Sequence, residues 1–258
     1  MCLIFLAYQQ RDDWPLVLVS NRDEFFQRPS LEGHFWGPQF NLLGGRDQEQ
    51  GGSWLAVNRN GRLAAVTNYR DPKQPLGTKS RGLLVNEFVE GDQAPADYLA
   101  GLEMDAYTGF NLLLGDVDQL YYASNRDDQP QALGAGIYGL SNHLLDSPWP
   151  KVTGGKEIFT ELMQSEEVDV ERLFDLMTDH QIAPDEQLPQ TGMGDQVERH
   201  LSSRFIPAWR NRELTNYSDY GTRTTTVVLM DRQGRGRWFE RNHTTDAVNQ
   251  DKTLAFTW

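Results

Sequence analysis

The stretch that decides the fold is residues 2–24, CLIFLAYQQRDDWPLVLVSNRDE. Two apolar runs, Cys2–Tyr8 and residues 15–20, are rich in Leu, Ile, Val and aromatic residues and flank a short polar segment. Such a pattern predicts a β-hairpin. A turn centred near residues 11 and 12 would place Cys2 opposite Asn21, with Cβ atoms about 4.5–5.5 Å apart. The polar residues that follow the second run would then lie beside Cys2.

The rest of the chain repeats this hairpin pattern and places helical segments between the hairpins. Three further hairpins are predicted, from residues 53–57 with 62–67, 110–114 with 119–123, and 224–230 with 237–240. Helical periodicity covers residues 81–90, 95–102, 156–163 and 170–177, with Ile158 among the apolar positions expected to face the core. Residues 181–196 lack any period and indicate a surface loop. Strand pairs that enclose helical blocks predict a single α+β domain over residues 1–258, with mostly antiparallel sheets.

Composition excludes several classes of protein. The chain has 258 residues, 24 Lys+Arg against 37 Asp+Glu, and a formal net charge of −13. This charge opposes binding to nucleic acid, which needs clustered cations. The apolar start meets charged residues too early for a membrane span or signal segment, so no membrane insertion and a cytoplasmic protein are expected. The composition specifies no oligomeric state.

The single cysteine and the scattered histidines argue against metal chemistry. One cysteine cannot form an internal disulfide, and none of the five histidines has a spacing typical of a metal site or a Cys/His pair. Each histidine is expected to be a surface or hydrogen-bonded structural residue. We expect no metal and no cofactor.

The position of the only cysteine, Cys2, is the most informative feature for function. If Met1 is removed, Cys2 carries a free α-amine, which titrates near pH 8 (about 7.7–8.0 in model compounds) and can take the thiol proton. No histidine is then needed as a base. The alternative is that Cys2 is a small buried hydrophobe at the start of a strand.

The polar residues expected beside Cys2 fit the chemistry of a nucleophile. Arg22 would lower the pKa of the thiol, and one of the two carboxylates, Asp23 or Glu24, would hold the α-amine through a charge-assisted hydrogen bond. Asn21 would bring an amide to the same place. The alternative is a strand that ends in a solvated polar turn.

These residues belong to a set of motifs that runs from end to end of the chain. The motifs are MCLIF at residues 1–5, SNRDEFF at 20–26 with RP at 28–29, GGRD at 44–47, GGSWL at 51–55, TNYR at 67–70, YGLSN at 138–142, PWPK at 148–151 and YGTRT at 220–224. Together they resemble the NRDE family, also called the Transport and Golgi organization protein 2 family. More distantly, the layout resembles the N-terminal nucleophile hydrolases of the choloylglycine hydrolase and penicillin V acylase group. That resemblance implies a four-layer αββα fold with two stacked antiparallel sheets.

The resemblance also implies roles for particular residues. Cys2 matches the nucleophile of the hydrolase group and Asp23 its carboxylate near the α-amine. Asn68 and Asn142 lie where the group places amides for the oxyanion and the substrate, and Arg223 fits a late arginine near the active centre. For the two amides the alternative is local backbone capping, and for Arg223 it is a cross-strand ion pair. The group carries an arginine three residues before the aspartate, whereas this chain has Ser20 there and Arg22 one residue before.

Substrate-binding candidates are Asn21, Arg22 and Tyr69. The aromatic side chains that could line an apolar pocket for an acyl chain or a flat ligand are Trp36, Trp54, Tyr69, Trp149, Trp209 and Trp238. Packing within the core is the alternative for all of them.

Two functions from different classes follow. The first is a cysteine hydrolase that cleaves an amide or related acyl bond of a small molecule. The second is a non-catalytic binding or trafficking protein on the same scaffold, because relatives in the NRDE family are linked to secretion, lipid metabolism and haem trafficking. The ligand would then be a haem-like or lipid/acyl molecule, although the chain has no Cys-Pro or Cys-x-x-Cys-His signature for haem.

Overall fold

A computed structural model describes residues 2–210, 219–244 and 250–258. The strands are β1 (Cys2–Tyr8), β2 (Leu16–Phe25), β3 (Ser30–Trp36), β4 (Leu42–Asp47), β5 (Leu55–Asn58), β6 (Leu63–Asn68), β7 (Phe110–Gly115), β8 (Leu120–Ser124), β9 (Gln131–Leu133), β10 (Gly136–Leu140), β11 (Tyr220–Met230), β12 (Arg235–Asn242) and β13 (Gln250–Thr257). The α-helices are α1 (Gly82–Glu90), α2 (Pro95–Ala100), α3 (Pro150–Met163), α4 (Val170–Met177) and α5 (Asp195–His200).

The strands form two antiparallel sheets that pack face to face. The first sheet has the order β10-β1-β2-β11-β12-β13, and the second runs through β3 to β9 in chain order. One apolar core lies between the sheets, α1 and α2 pack on the outer face of the second sheet, and α3 and α4 pack on the outer face of the first. The four-layer αββα arrangement is therefore confirmed.

Strand β1 is apolar throughout because it is buried on both of its faces. Ile4, Leu6 and Tyr8 face the core between the sheets, whereas Leu3 and Phe5 face the layer of α3 and α4. A strand covered on both faces needs apolar side chains on both, so it reads as a continuous run rather than an alternation. The hairpin is thus anchored in two cores at once, which holds its polar end in a defined position.

The predicted elements are largely confirmed. The four hairpins are β1–β2, β5–β6, β7–β8 and β11–β12, and the four predicted helices are α1 to α4. Helix α3 begins at Pro150 rather than at residue 156, because proline is well suited to the first position of a helix. The expectation that Ile158 faces the core was wrong, since its side chain is exposed while Phe159 is fully buried.

The predicted register of the first hairpin was wrong by one residue. The pairs are Cys2–Arg22 and Leu3–Asn21, so Arg22 rather than Asn21 lies opposite Cys2. The turn is longer than expected because Gln9 adopts a left-handed φ of 52° and donates its backbone N–H to the Pro15 carbonyl at 2.6 Å. Since side chains alternate along a strand, a shift of one residue moves each side chain to the other face.

Among the described residues, each helix is too short or too polar to cross a lipid bilayer.

Candidate active site

A polar cavity of about 310 Å³ lies at the start of β1, beside Cys2. Five of its lining residues carry the argument that follows: Cys2, Arg22, Trp54, Asn68 and Arg81. They come from β1, β2, the segment before β5, the end of β6 and the residue before α1. The site therefore draws on both sheets and on one helix layer. We refer to it as the Cys2 cavity.

Cys2 is the first residue of β1 and is only 7% exposed. The Ser141 hydroxyl donates to its carbonyl at 3.3 Å, which fixes the backbone of the nucleophile candidate. Burial raises the pKa of the Cys2 thiol, and Asp23 and Glu24 add to this rise, whereas Arg22 opposes it. The thiol thus needs a base or a nearby cation to ionise at neutral pH.

Arg22 lies directly across the hairpin from Cys2 and is 5% exposed. Its guanidinium stacks on Trp54 of the facing sheet, with the guanidinium carbon 4.1 Å from the ring centroid. Burial lowers its pKa, and Glu24 and the Cys2 thiolate oppose the change. The register thus brings a cation, not an amide, to the sulfur.

Asp23 lines the same cavity and is almost fully buried. The Thr222 hydroxyl donates to its carboxylate at 2.7 Å, and the Tyr220 hydroxyl donates to its backbone carbonyl at 3.1 Å. Burial raises the pKa of Asp23, while Lys151 and the hydrogen bond from Thr222 oppose the rise. A β-bulge at Arg223 makes this contact, because it lets Thr222 and not Arg223 lie opposite Asp23.

Asn68 and Asn142 have different places in the site. Asn68 ends β6 and lines the Cys2 cavity, and the described residues offer its side-chain amide no hydrogen-bond partner. Asn142 is fully buried, does not line the cavity, and donates from Nδ2 to the Asn68 carbonyl at 3.0 Å. Asn68 is therefore free to meet a ligand, and Asn142 holds its backbone from behind.

The remaining candidates do not line the Cys2 cavity. The Asn21 amide donates to the carbonyls of Met177 and Arg204, in the helix layer. Tyr69 packs with its ring centroid 5.0 Å from that of His143. Arg223 donates from Nη1 to the carbonyls of Phe25, at 3.2 Å, and Arg28, at 2.5 Å. These three side chains hold the surrounding loops and layers.

Sequence reasoning missed Arg81, which lines the cavity just before α1. The only signal was a basic residue at the start of a helical pattern, which is too common to be noticed. Gly52 packs on the same helix start so closely that a Cβ there would lie 2.5 Å from the Gly82 carbonyl carbon. The GGSWL segment thus needs glycine for this contact, which brings Trp54 and Arg81 to one cavity.

A second group of charged residues does not line the cavity. Arg70 pairs with Glu198, with Nη1 2.6 Å from Oε2, and both side chains are 2% exposed. Lys151 donates from Nζ to the Leu201 carbonyl at 2.9 Å. Burial and the nearby Arg70 lower the pKa of Lys151 to about 7, although Asp23 opposes this. We call these three residues, Arg70, Lys151 and Glu198, the buried cluster.

Around one small cavity the arrangement supplies a thiol, a cation across the hairpin, and an amide that the described part of the chain leaves without a partner. These are the groups that attack on a carbonyl carbon requires: a nucleophile, charge control and a donor for the oxyanion. The part of the chain that the structure describes contains no group of three or more His, Cys, Asp or Glu side chains that could hold a metal ion.

The chain is similar in sequence to known proteins along nearly its whole length. The family model described as Transport and Golgi organisation 2 matches residues 1–245. The Transport and Golgi organization 2 homologue of Mus musculus is 34% identical over 265 residues, covering 94% of this chain and 93% of the relative. The homologue of Homo sapiens is also 34% identical, over 263 residues with the same coverage, and the Drosophila melanogaster protein is 29% identical, covering 95% and 93%.

The fold is similar to those of solved structures at low sequence identity. The C2A mutant of the conjugated bile acid hydrolase from Clostridium perfringens superposes with a TM-score of 0.49 at 8% identity, covering 100% of this chain and 97% of that one. A Caenorhabditis elegans orthologue of N-acylethanolamine-hydrolyzing acid amidase gives a TM-score of 0.49 at 7% identity, covering 88% and 92%.

Proposed function

The chain belongs to the Transport and Golgi organisation 2 family, and on that premise we propose that it is a cysteine N-terminal nucleophile hydrolase. Its substrate would be a small molecule with an amide or related acyl bond. The observation that carries the proposal is the placement of the only cysteine, Cys2, in a cavity with the Asn68 amide and the Arg22 guanidinium. The cavity volume of about 310 Å³ is at the lower end of the range for small-molecule sites.

The first chemical step is attack by the Cys2 sulfur on the acyl carbon. Met1, which must be removed to free the Cys2 α-amine, lies outside the described residues. That amine takes the thiol proton, the S–C bond forms, and the carbonyl oxygen becomes an oxyanion. The same amine gives the proton to the leaving nitrogen as the C–N bond breaks. Water then hydrolyses the thioester, releasing the acid and restoring the thiol.

Two neighbours support this chemistry. The Asn68 side chain would donate to the oxyanion, a contact whose loss typically costs about 10²- to 10³-fold in rate. Asp23 would hold the protonated α-amine, because its buried carboxylate lines the same cavity. Ser141 and Asn142 act as positioning residues, since they hold the backbone carbonyls of Cys2 and Asn68.

The test combines intact mass spectrometry with turnover of a set of small amides. We expect the purified protein to lack Met1, to form an acyl adduct on Cys2 that hydroxylamine removes, and to release amine product. Cys2→Ala should remove the adduct and lower turnover by on the order of 10⁶-fold, as in other covalent hydrolases. Tyr69→Phe is the matched control, because Tyr69 does not line the cavity. Retention of Met1 in protein that turns over the amides, or unchanged turnover in Cys2→Ala, would sink the proposal.

The burial of Cys2 favours one second candidate, a non-catalytic carrier of an acyl, lipid or haem-like ligand. Burial raises the pKa of the thiol, so Cys2 tends to stay protonated and unreactive. This candidate predicts that Cys2→Ala binds the ligand as tightly as the parent protein and that neither turns it over. For a haem-like ligand, the readout is the shift of the Soret band during titration. Loss of binding in Cys2→Ala would count against the carrier.

We also propose that the protein acts in the cytoplasm. The lone cysteine suits a reducing compartment, and the net charge of −13 favours a hydrated, dispersed protein. Cell fractionation tests this, and recovery in a membrane or lumenal fraction would contradict it.

A further inference from the structure

We infer that Arg22 and Arg81 form an oxyanion-binding subsite beside Cys2, so that the molecule that reaches the thiol carries a carboxylate or phosphate. The inference deepens the proposed function by naming the class of substrate, and as a substrate claim it rests on that function. The binding subsite itself can be tested on the thiol without any turnover.

Among the residues that the structure describes, the buried cation Arg22 has no anionic partner. Among the described residues, no carboxylate oxygen lies within 4.0 Å of its guanidinium nitrogens, and its one hydrogen bond is a long contact of 3.4 Å from Nη1 to Ser30 Oγ. Stacking on Trp54 covers one face of the guanidinium but uses none of its N–H donors. Since burial of an unpaired charge is costly, these donors indicate a missing acceptor in the cavity.

Arg81, which is half-buried, is a second cation that lines the cavity. The one hydrogen bond that its guanidinium makes among the described residues runs from Nη1 to the Gly109 carbonyl at 3.1 Å, and it makes no ion pair within the described residues. The helix that follows it, α1, has no acidic residue in its first turn and no side-chain cap. Gly82, the first residue of α1, also lines the cavity. The positive end of the helix therefore adds to the two guanidinium groups.

The other two cations of the cavity, Arg28 and Lys79, already have carboxylate partners. Arg28 lies 2.7 Å from Asp47 and 3.4 Å from Glu49, and Lys79 lies 2.9 Å from Glu103. Arg22 and Arg81 are thus the cavity cations that the described residues leave without a carboxylate partner.

Two carboxylates of the cavity, Glu24 and Asp23, also form no ion pair with Arg22 or Arg81 among the described residues. Glu24 accepts the Phe25 backbone N–H on Oε1 at 2.8 Å, and its Oε2 lies 3.9 Å from Arg28. Asp23 accepts from Thr222 on the opposite face of β2 from Arg22. A ligand that brings its own oxyanion would complete the donors of both arginines.

The chemistry of arginine narrows the ligand further. A planar guanidinium holds carboxylate or phosphate oxygens in pairs, and each charge-assisted bond contributes about 1.5–3 kcal/mol. A carboxylate or phosphate close to the bond that is cleaved would be held while Cys2 attacks. A neutral amide of the same size could accept hydrogen bonds on its carbonyl oxygen, but it would bring no negative charge to either guanidinium.

The test compares two alkylating agents of nearly equal size, iodoacetate and iodoacetamide. In both reactions the Cys2 sulfur forms a bond to the CH₂ carbon and iodide leaves, so both depend equally on the thiolate. We expect the iodoacetate-to-iodoacetamide rate ratio to exceed that of glutathione by about tenfold or more, since 1.4 kcal/mol corresponds to a factor of ten. This is opposite to what the net charge of −13 alone would produce.

Variants locate the effect. Arg81→Gln and Arg22→Gln should each bring the ratio close to that of glutathione. Arg59→Gln should leave it unchanged, because Arg59 is an exposed arginine that does not line the cavity. A parent ratio equal to that of glutathione, or an equal fall in all three variants, would overturn the inference.

Competition then distinguishes the two sources of the oxyanion. Sodium acetate and inorganic phosphate are compared with sodium chloride at equal ionic strength, as protectants against iodoacetate. Protection by acetate identifies a carboxylate, and protection by phosphate identifies a phosphate ester; protection by neither overturns the inference. A raised ratio with no amide turnover would defeat the hydrolase and keep the subsite, whereas turnover with a flat ratio would do the reverse.

Discussion

Arg22 and Arg70 are both arginines and are buried to the same degree, yet they differ in their charge partners. Each is 5% exposed, and each stacks on a tryptophan, with the guanidinium carbon 4.1 Å from the Trp54 ring centroid and 4.7 Å from the Trp149 ring centroid. Arg70 forms a buried ion pair with Glu198. Arg22 instead lines the Cys2 cavity and has no carboxylate partner among the described residues. The difference teaches that the partner, not burial, separates a structural charge from one placed to meet a ligand.

The largest expected effect on stability comes from removing the carboxylate that pairs with Arg70. Glu198→Gln removes the carboxylate from a buried pair, and two Arg70 nitrogens, Nε and Nη2, already lack a partner in the described part of the chain. We expect the free energy of unfolding to fall by about 3–5 kcal/mol, as when one member of a buried ion pair is removed. Arg22→Gln should cost far less, because it leaves no paired charge behind. Urea unfolding measures both.

Equal losses in Glu198→Gln and Arg22→Gln would contradict the comparison. They would mean that Arg22 also has a stabilising partner and that its place in the cavity is structural.

A smaller effect is expected from Lys151, the third member of the buried cluster. Burial lowers its pKa from the usual 10.5 to about 7, so above pH 7 the folded state has lost a proton that the unfolded chain keeps. Stability contributed at this site therefore rises with pH between about 7 and 10.5, by at most about 1.4 kcal/mol per pH unit. In Lys151→Met this rise should disappear. Urea unfolding of both proteins at pH 7, 8 and 9 measures the difference, and parallel pH profiles would show that Lys151 stays charged.

The smallest effect is expected from Tyr69, which lies outside the Cys2 cavity. Tyr69→Phe removes one hydroxyl that has no hydrogen-bond partner among the described residues and does not line the Cys2 cavity. Turnover and the iodoacetate-to-iodoacetamide ratio should both stay within about twofold of the parent, in line with the small effects of substitutions away from such features. A larger change in either would place Tyr69 in the site after all.

Much of the fold could be predicted, because hairpins and amphipathic helices are local patterns. Strands such as β3 and β13 were missed, since neither has a clear alternation; β3 runs through Gly33, which packs on Trp238 of the first sheet. The register of the first hairpin failed for a local reason as well. Gln9 adopts a left-handed backbone conformation, which is uncommon for a residue other than glycine and is not indicated by the local sequence.

The candidate site was harder to predict than the fold. Cys2, Arg22 and Asp23 could be found because they belong to one hairpin. Arg81 could not, because it reaches the cavity only through the packing of α1 on the Gly51–Gly52 turn. Asn142 was found by resemblance, but its position behind Asn68 depends on how the two sheets stack.

From the sequence alone came the antiparallel α+β character, the lone thiol at the start of an apolar strand, and the net charge of −13. These follow from composition and from periodicities of two and 3.6 residues, which act over a few neighbours. Tertiary structure alone decided which cations stay unpaired. An ion pair such as Arg70–Glu198 joins residues 128 positions apart, and whether Arg22 and Arg81 meet a carboxylate depends on packing between layers, where a few ångströms decide between a salt bridge and an open binding site.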